Sequence, residues 1–552
     1  MTHSVPQSTK PGGVLDDIIH RLTTLPEKER FKVMDEAMES TKHMVWVPNY
    51  GPQTMAYNSM ADELYYGGQA GGGKSDLGIG LALTHHDQSL ILRRYTADAD
   101  SLAERTCAIL GSRQGFNGSP PITIRLPGRL LTFGGMKDLE DRQRYKGDPK
   151  DLMVWDEIPD FLEQQYTFVI GWNRSANPNQ RSRVVCTGNP PTTAEGLWVI
   201  ARWAAWLDPS HPKFGKVKDG DLLWYTTIDG VDTEVNGPGP HWIGGESVIA
   251  KSRTFIRAKL SDNPDLAATN YDAVLAAMPS ELRDAYREGK FDAGLKDKAF
   301  QLIPTAWVRA AQERWTEKPP IGVPMCALAV DCTGGGTDPM VIASRYDGWF
   351  SPAITIPGNQ IPAEMAGRAA AGHVVAYRRD NAIMIVDMGG GYGGPLYEHL
   401  HMNFDTNQDR EPLVKPFKGS EAGVRRTIDG TLGFNNRRTE SLWKMREALD
   451  PGQVGGSPIM LYPSNILLGD LTACTYEVRR GILHAEDKVT VCKRLGRSTN
   501  EGDAVCMAWT AGPIASTDGA LWDQMRKEMG RGGRTGGMRP KVVMGRHHSA
   551  KR

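Results

Sequence analysis

The stretch GGQAGGGKSD, residues 67–76, sets Gly68, Gly73, Lys74 and Ser75 at GxxxxGK[ST] spacing. A glycine run alone is more often a turn or a linker. Here the flanks read as a short apolar strand, ELYY, and an apolar helix, LGIGLALTHH. A strand, a glycine loop and a helix N-terminus turn backbone N–H groups toward an anion. In that setting Gly68, Gly71, Gly72 and Gly73 cradle the phosphates of a nucleotide, with Asp76 just beyond them. Lys74 reaches the β and γ phosphates, and the Ser75 hydroxyl ligates Mg²⁺.

Adjacent carboxylates follow. DLMVWDEIPDF is an apolar run ending in Asp156 and Glu157. Alone, such a run is a strand leading into a solvated turn. Downstream of a phosphate loop, it reads as the strand whose first acid holds Mg²⁺ and whose second orients or deprotonates the attacking water. VVCTGNPP then ends another run in Thr187, Gly188 and Asn189. Those polar groups could sense a γ-phosphate, or simply form a turn before Pro190. Arg93 and Arg94 are a basic pair that could face nucleotide or DNA.

In the second half, two apolar runs end in aspartate, ALAVD at Asp331 and AIMIVD at Asp387. Glycines follow each and allow another backbone or a nucleic-acid strand to approach. A third acid, Asp503, opens the apolar stretch DAVCMAWTA, which reads as a buried helix. Carboxylates crowded between apolar walls are costly unless cations neutralise them. Three of them suit two Mg²⁺ or Mn²⁺ ions, about 4 Å apart, that activate water against a phosphodiester. Any one of them alone would be a solvated strand end, and the spacing does not decide between the two. Asp338, in GGGTDPM, is a further acid for the group. Lys415, Lys418, Arg425, Arg426, Arg437 and Arg438 lie between the second and third acids. They either line a DNA path through phosphate contacts or form a solvated face.

Rigid elements must hold these side chains. From about Val45 to Ala201, short β-rich apolar runs alternate with helical stretches, the pattern of a mostly parallel sheet. A second α/β pattern runs from MCALAVD to about Ala511. The expected organisation is an N-terminal helical segment (1–44), a P-loop ATPase core (45–207), a lid or linker (208–300), a second α/β domain (301–515) and a basic Gly-rich tail (516–552).

A chain of 552 residues is too long for one ordinary core. No apolar run is long enough to span a bilayer. The opening MTHSVPQSTKPGG holds no apolar signal region, and a cytosolic chain is expected. Seven cysteines without a CxxC pair point to reduced thiols rather than a disulfide framework or zinc ribbon. The zero net charge hides an asymmetry: Arg526 to Arg552 holds nine Lys/Arg against one acid, so that end is +8 and the remainder −8. Such a tail either binds nucleic acid electrostatically or serves as a solubilising end.

The stretches GPQTMAYNSMADELYYGGQAGGGKSD, VWDEIPDF, TGNPP and RTFIRAKLSDNPDL resemble the large terminase subunit of tailed double-stranded DNA bacteriophages. The resemblance continues through LIPTAWV, FNNRRTESLWKMREAL and LGRSTNEGDA, and covers roughly residues 45–511. The wording around Asp503 departs from the family's commoner SPD.

The resemblance implies an α/β chain, a P-loop (ASCE-type) ATPase domain followed by an RNase H-like nuclease domain. It implies ATP-driven translocation of double-stranded DNA into a procapsid and cutting of concatemers by a metal-dependent endonuclease. Glu157, Asp331, Asp387 and Asp503 would be catalytic. ATP with Mg²⁺ would serve the first site, and two Mg²⁺ or Mn²⁺ the second, on Asp331, Asp387 and Asp503. Gln53 would lie near the adenine. A neighbouring subunit would supply an arginine, with Arg142 and Arg144 the candidates, although arginines on a polar loop are ordinarily just solvated. The implied partners are the small terminase subunit, the portal ring and a pentameric ring of like subunits. The implied place is the cytoplasm of the infected host, outside the mature virion. Two alternatives stand beside this: a host DNA-repair helicase–nuclease, and a DNA-binding scaffold with inactive sites.

Overall fold

The computed structural model describes residues 44–512, except 229–230, 244, 292–296, 333–337, 363–364, 406–410 and 454, together with Pro26 and Glu29. The expected helices before residue 44 and the basic tail lie outside the described residues.

The first half builds a ten-stranded sheet. Its strands in chain order are β1 (Glu63–Gly68), β2 (Gln88–Arg93), β3 (Phe116–Asn117), β4 (Ile122–Leu126), β5 (Arg129–Gly135), β6 (Leu152–Trp155), β7 (Arg183–Gly188), β8 (Leu223–Ile228) and β9 (Val231–Val235). A small hairpin of β10 (His241–Ile243) and β11 (Glu246–Val248) follows, and β12 (Lys251–Ala258) returns to the sheet. The spatial order is β3-β4-β5-β2-β6-β7-β1-β12-β8-β9. From β5 to β12 every pairing is parallel; the two flanks are antiparallel. With β7 inserted between β1 and β6, the order is that of an ASCE-type P-loop sheet.

The central strands are apolar without alternation because both faces are covered. Leu64 and Tyr66 face a layer holding Leu77, Ile79 and Leu102, while Tyr65 between them faces Trp203 and Phe255. The sheet continues past residue 207, the boundary expected from sequence, because β12 pairs with β1 in register Glu63↔Arg253. Arg253 disguised that strand. It is buried, with its guanidinium 2.8 Å from Asp232 and over the Tyr225 ring.

The second half carries β13 (Ala327–Asp331), β14 (Met340–Tyr346), β15 (Trp349–Phe350), β16 (Ile354–Ile356), β17 (Ile383–Asp387) and β18 (Val414–Phe417). Their order is β15-β14-β13-β17-β18, with β16 also on β14. Strand β14 is antiparallel to β13, while β17 and β18 run parallel to it, the RNase H-like arrangement. A small sheet of β19 (Gly433–Phe434), β20 (Tyr476–Arg479) and β21 (Ile482–Ala485) follows. The layer on the Tyr65 side does not end with the first sheet. It runs through Trp198, Ile200 and Leu207 into Leu302, Leu467, Leu471 and Val505, so the two bodies share one apolar core.

Candidate active sites

Parallel strands end at one edge of a sheet, where ligands of α/β folds bind. At that edge β1 runs into the glycine loop, which ends at the helix Lys74–Thr84. Gly68 and Gly73 are among the loop positions that require glycine. Gly68 has φ +140°, and a Cβ there would lie 2.5 Å from the Ala258 carbonyl oxygen. Gly73 has φ +71°, and a Cβ would lie 2.6 Å from Gln53 Nε2. The loop carbonyls are tied back: Gly71 accepts from Asn263 Nδ2 (2.8 Å), Gly72 from the Tyr66 hydroxyl (3.0 Å) and Gly73 from Gln53 Nε2 (2.7 Å). Gln53 Oε1 in turn accepts from the Asn49 N–H. Gln53, expected near an adenine, thus ties the loop backbone at Gly73 to the Asn49 backbone.

Lys74 Nζ donates to the Gln69 carbonyl at 2.5 Å and to Asn189 Oδ1 at 2.9 Å. Burial lowers its pKa, against the pull of Glu157 and Asp156. Ser75 Oγ lies 3.0 Å from both oxygens of Asp156, and Thr187 Oγ1 donates to Asp156 Oδ1 at 2.6 Å. Arg93 completes the set, with Nη2 2.6 Å from Asp156 Oδ2. A hydroxyl and a buried carboxylate converging at a phosphate loop are the donor set that Mg²⁺ takes beside a nucleotide.

Glu157 sits in the left-handed region (φ 55°, ψ 54°). Such backbone costs about 1–3 kcal/mol in a non-glycine residue, and clusters at functional sites. Asn189 holds its carboxylate weakly, at 3.4 Å from both its backbone N–H and its Nδ2. Burial and the neighbouring Asp156 push the Glu157 carboxyl up to about 7, against Lys74. A carboxylate near neutrality suits proton acceptance.

The other predicted residues go elsewhere. Asp76 makes a two-pronged pair with Arg105 (3.0 and 2.7 Å) on the first turn of its helix. Arg94 donates to Gln165. Arg142 lies over the Phe168 ring and beside Gln164, whereas Arg144, largely exposed, pairs with Asp141 at 2.8 Å. Both belong to the turn Leu139–Tyr145, and these partners are not part of the phosphate loop.

In the second body Asp331 ends β13, Asp387 ends the parallel neighbour β17, and Asp503 lies in the first turn of the helix Asn500–Thr510. A lysine absent from the sequence reading stands among them. Lys488 Nζ lies 2.7 Å from Asp503 Oδ2 and 3.6 Å from Asp331 Oδ2. Thr499 Oγ1 donates to Asp503 (2.8 Å), and the Gly389 N–H to Asp387 (2.9 Å). Asp331 Oδ2 is buried without a hydrogen-bond partner. Burial pushes the Asp331 carboxyl up to about 7, Lys488 opposing and the two other acids adding to it. Burial likewise raises Asp387. Burial would also raise Asp503, but Lys488 and Arg438 outweigh it and hold the carboxyl below the usual range.

Among the described residues no three His, Cys, Asp or Glu side chains gather as ligands about one point. The acids are instead spaced around an ammonium. The Asp331 oxygen, without a hydrogen bond and with Lys488 Nζ 3.6 Å away, and the crowded carboxylates fit a divalent cation that takes over this charge. Asp338 is exposed and is not among the largest influences on the Asp331 carboxyl. Of the basic residues, Lys418, Arg425 and Arg426 are exposed. Arg438 instead donates to the Glu486 carbonyl (2.7 Å), and Arg437 lies over Phe417. All seven cysteines are free. Among the described residues no helix is long and apolar enough to cross a membrane.

No family model matches the chain, and no curated protein matches it. Among solved structures it is similar to the nuclease domain of the large terminase subunit gp2 of bacterial virus Sf6. The identity is 20% over 38% of this chain and 97% of that one, with a TM-score of 0.30. It is also similar to the large terminase of a thermophilic bacteriophage in complex with ATP-gamma-S. There the identity is 11% over 84% of this chain and 99% of that one, with a TM-score of 0.30. The strand orders and the side-chain geometry above, not these likenesses, carry the functional reading.

Proposed function

We propose that this chain is a DNA-packaging motor subunit of the large-terminase kind, coupling ATP hydrolysis to movement of double-stranded DNA and cutting that DNA with a metal-dependent endonuclease. The observation that carries the reading is the presence, in one chain, of two strand-end sites. One has Lys74, Ser75, Asp156, Glu157 and Asn189 at the edge of a P-loop sheet. The other has Asp331, Asp387 and Asp503 around Lys488 in an RNase H-like body.

In the first site the glycine loop and Lys74 bind the phosphates, and Ser75 and Asp156 would hold Mg²⁺, which offsets their charge. On binding, Lys74 exchanges its Asn189 contact for phosphate. Glu157 orients water and takes its proton at a carboxylate oxygen, steadied by Asn189. In the second site Asp331, Asp387 and Asp503 would hold one or two Mg²⁺ or Mn²⁺, which supply Lewis acidity toward the phosphodiester. Thr499 fixes the rotamer of Asp503, and Lys488 keeps the acids neutralised until they are loaded. Exposed Lys418, Arg425 and Arg426 bind the DNA backbone without reading sequence. The same reading places the chain in the infected cell's cytoplasm with a small terminase subunit and a portal ring. It also assigns a pentameric ring in which Arg142 or Arg144 serves a neighbour's nucleotide. ATP turnover measured with and without double-stranded DNA, beside plasmid cutting in Mn²⁺, tests it. A chain that hydrolyses no ATP and cuts no DNA contradicts it.

A further inference from the structure

A short helix joins the second site to the ATPase body. Helix Lys488–Leu495 begins with Lys488, among the nuclease acids, and is capped by Asp487, whose side chain accepts from the Thr490 N–H. Its other end lies against the ATPase body. Arg494 Nη1 donates to Glu195 Oε1 at 3.3 Å, and Gly496, just past the helix, packs so that a Cβ would lie 3.1 Å from Leu162 Cβ. Arg494 Nη2 is fixed by the Ala473 carbonyl (2.8 Å) and Glu486 (2.5 Å). Glu195 also takes Lys298 at 2.5 Å.

Both ATPase contacts descend from nucleotide-facing residues. Glu195 lies in the turn Ala194–Gly196, which follows Asn189 at the end of β7. Gly196 rests on Pro159, so close that a Cβ would sit 2.5 Å from its carbonyl oxygen, and Pro159 lies in the turn directly after Glu157. Leu162 closes that segment. Lys488 and Arg494 are about 9 Å apart along the axis at 1.5 Å per residue. A two-turn helix of that length moves as a unit, so a shift imposed on its Arg494 end is passed to its Lys488 end.

We propose that helix Lys488–Leu495 is a relay, in which Glu195 and Leu162 of the ATPase body bear on its Arg494–Gly496 end and so bias whether Lys488 occupies the nuclease acids. Arg494 and Glu195 are positioning residues; neither belongs to either site. With the Glu195–Arg494 contact intact, Lys488 is seated on Asp503 and Asp331 and opposes metal entry. Exchange of the Lys74–Asn189 contact for phosphate displaces the segment that carries Glu195, and with it the relay. Nucleotide binding and metal loading of the acids are then coupled in one chain, each biasing the other. The inference rests on the function proposed above.

The test uses the full chain with Mn²⁺, with and without a non-hydrolysable ATP analogue. It reads plasmid cleavage and hydrogen–deuterium exchange of the amides in 488–495. In the unaltered chain the analogue is expected to change cleavage by about fivefold or more, within the usual range of coupling between sites, and to change exchange in that helix. In Arg494→Ala and in Glu195→Gln both responses to the analogue disappear, while ATP turnover stays within about twofold. Arg494→Lys, which keeps the charge, recovers part of the response. Variants that respond like the unaltered chain, or an unaltered chain that hydrolyses ATP and cuts DNA with no response to the analogue, overturn the relay alone. Absence of both activities in the unaltered chain overturns the underlying functional reading as well.

Discussion

Lys488 Nζ donates to Asp503 Oδ2 at 2.7 Å, so the acids of the second body carry their own cation. Replacing it separates two effects that metal loading mixes. In Lys488→Ala a divalent ion no longer has to displace an ammonium, and Mn²⁺ should bind about tenfold more tightly, a difference of 1.4 kcal/mol. Without metal, the same variant leaves carboxylates crowded and unpaired. Its stability in chelator should fall by roughly 1–3 kcal/mol, below the full cost for a buried pair because Lys488 is a third exposed. Calorimetric Mn²⁺ titration and thermal melts in chelator read the two. Unchanged values in both would remove Lys488 from the site.

Glu157→Gln keeps the shape of the side chain and removes its basicity. ATP turnover should drop by about 10²-fold or more, the usual worth of a positioned general base, while nucleotide binding persists. Lys74→Ala should instead weaken binding, since Lys74 is the buried cation of the phosphate loop. Steady-state turnover beside fluorescent-nucleotide titration distinguishes the two patterns. Near-normal turnover in Glu157→Gln would shift the role to another group.

Arg144 is largely exposed, whereas Arg142 is packed on Phe168. If an arginine acts on a neighbour's nucleotide, exposure favours Arg144. Mixing Arg144→Ala with Lys74→Ala subunits should restore part of the turnover lost in each, because one interface becomes complete. An arginine of this kind is worth about 10³-fold or more, so recovery is measurable. No effect of either arginine in assembled subunits would exclude both.

Glu63, at the start of β1, is buried with Arg202 at 2.7 Å and Arg253 at 3.6 Å. Burial alone would raise its carboxyl; the two guanidiniums outweigh burial and bring it to about 2. A folded pKa below the unfolded value of 4.5 means stability that is full above pH 4.5 and is lost as pH falls toward 2. At neutral pH Glu63→Gln should destabilise by roughly 3–5 kcal/mol, because buried Arg202 loses its close carboxylate, while Arg253 keeps Asp232. The gap from the unaltered chain should narrow as pH falls from 4.5 toward 2. Denaturant melts across that range check the sign, and a gap that widens would contradict it.

What was legible from sequence was local. The phosphate loop, the Asp156–Glu157 pair and the three strand- or helix-end aspartates are short patterns whose chemistry depends on near neighbours, and each falls on the element expected. What was not legible depends on contacts between distant segments. Lys488 is one lysine on a short amphipathic helix, and nothing in EDKVTVCKRL sets it apart from a solvated one. Strand β12 was hidden by Arg253, whose partner Asp232 lies on another strand. The Glu195–Arg494 contact spans 299 residues, and the shared apolar core has no sequence mark at all.

The central claim is that one chain holds two separable chemistries, and the most direct measurement runs both on the same preparations. ATP turnover and Mn²⁺-dependent plasmid cleavage are measured for the full chain, for Glu157→Ala and for Asp387→Ala. Glu157→Ala should lose turnover by about 10²-fold or more and still cut DNA. Asp387→Ala should lose cleavage by a comparable factor and hydrolyse ATP at the unaltered rate. A folded Asp387→Ala chain that cuts as well as the unaltered one, or a Glu157→Ala chain that still turns over ATP, would contradict the account.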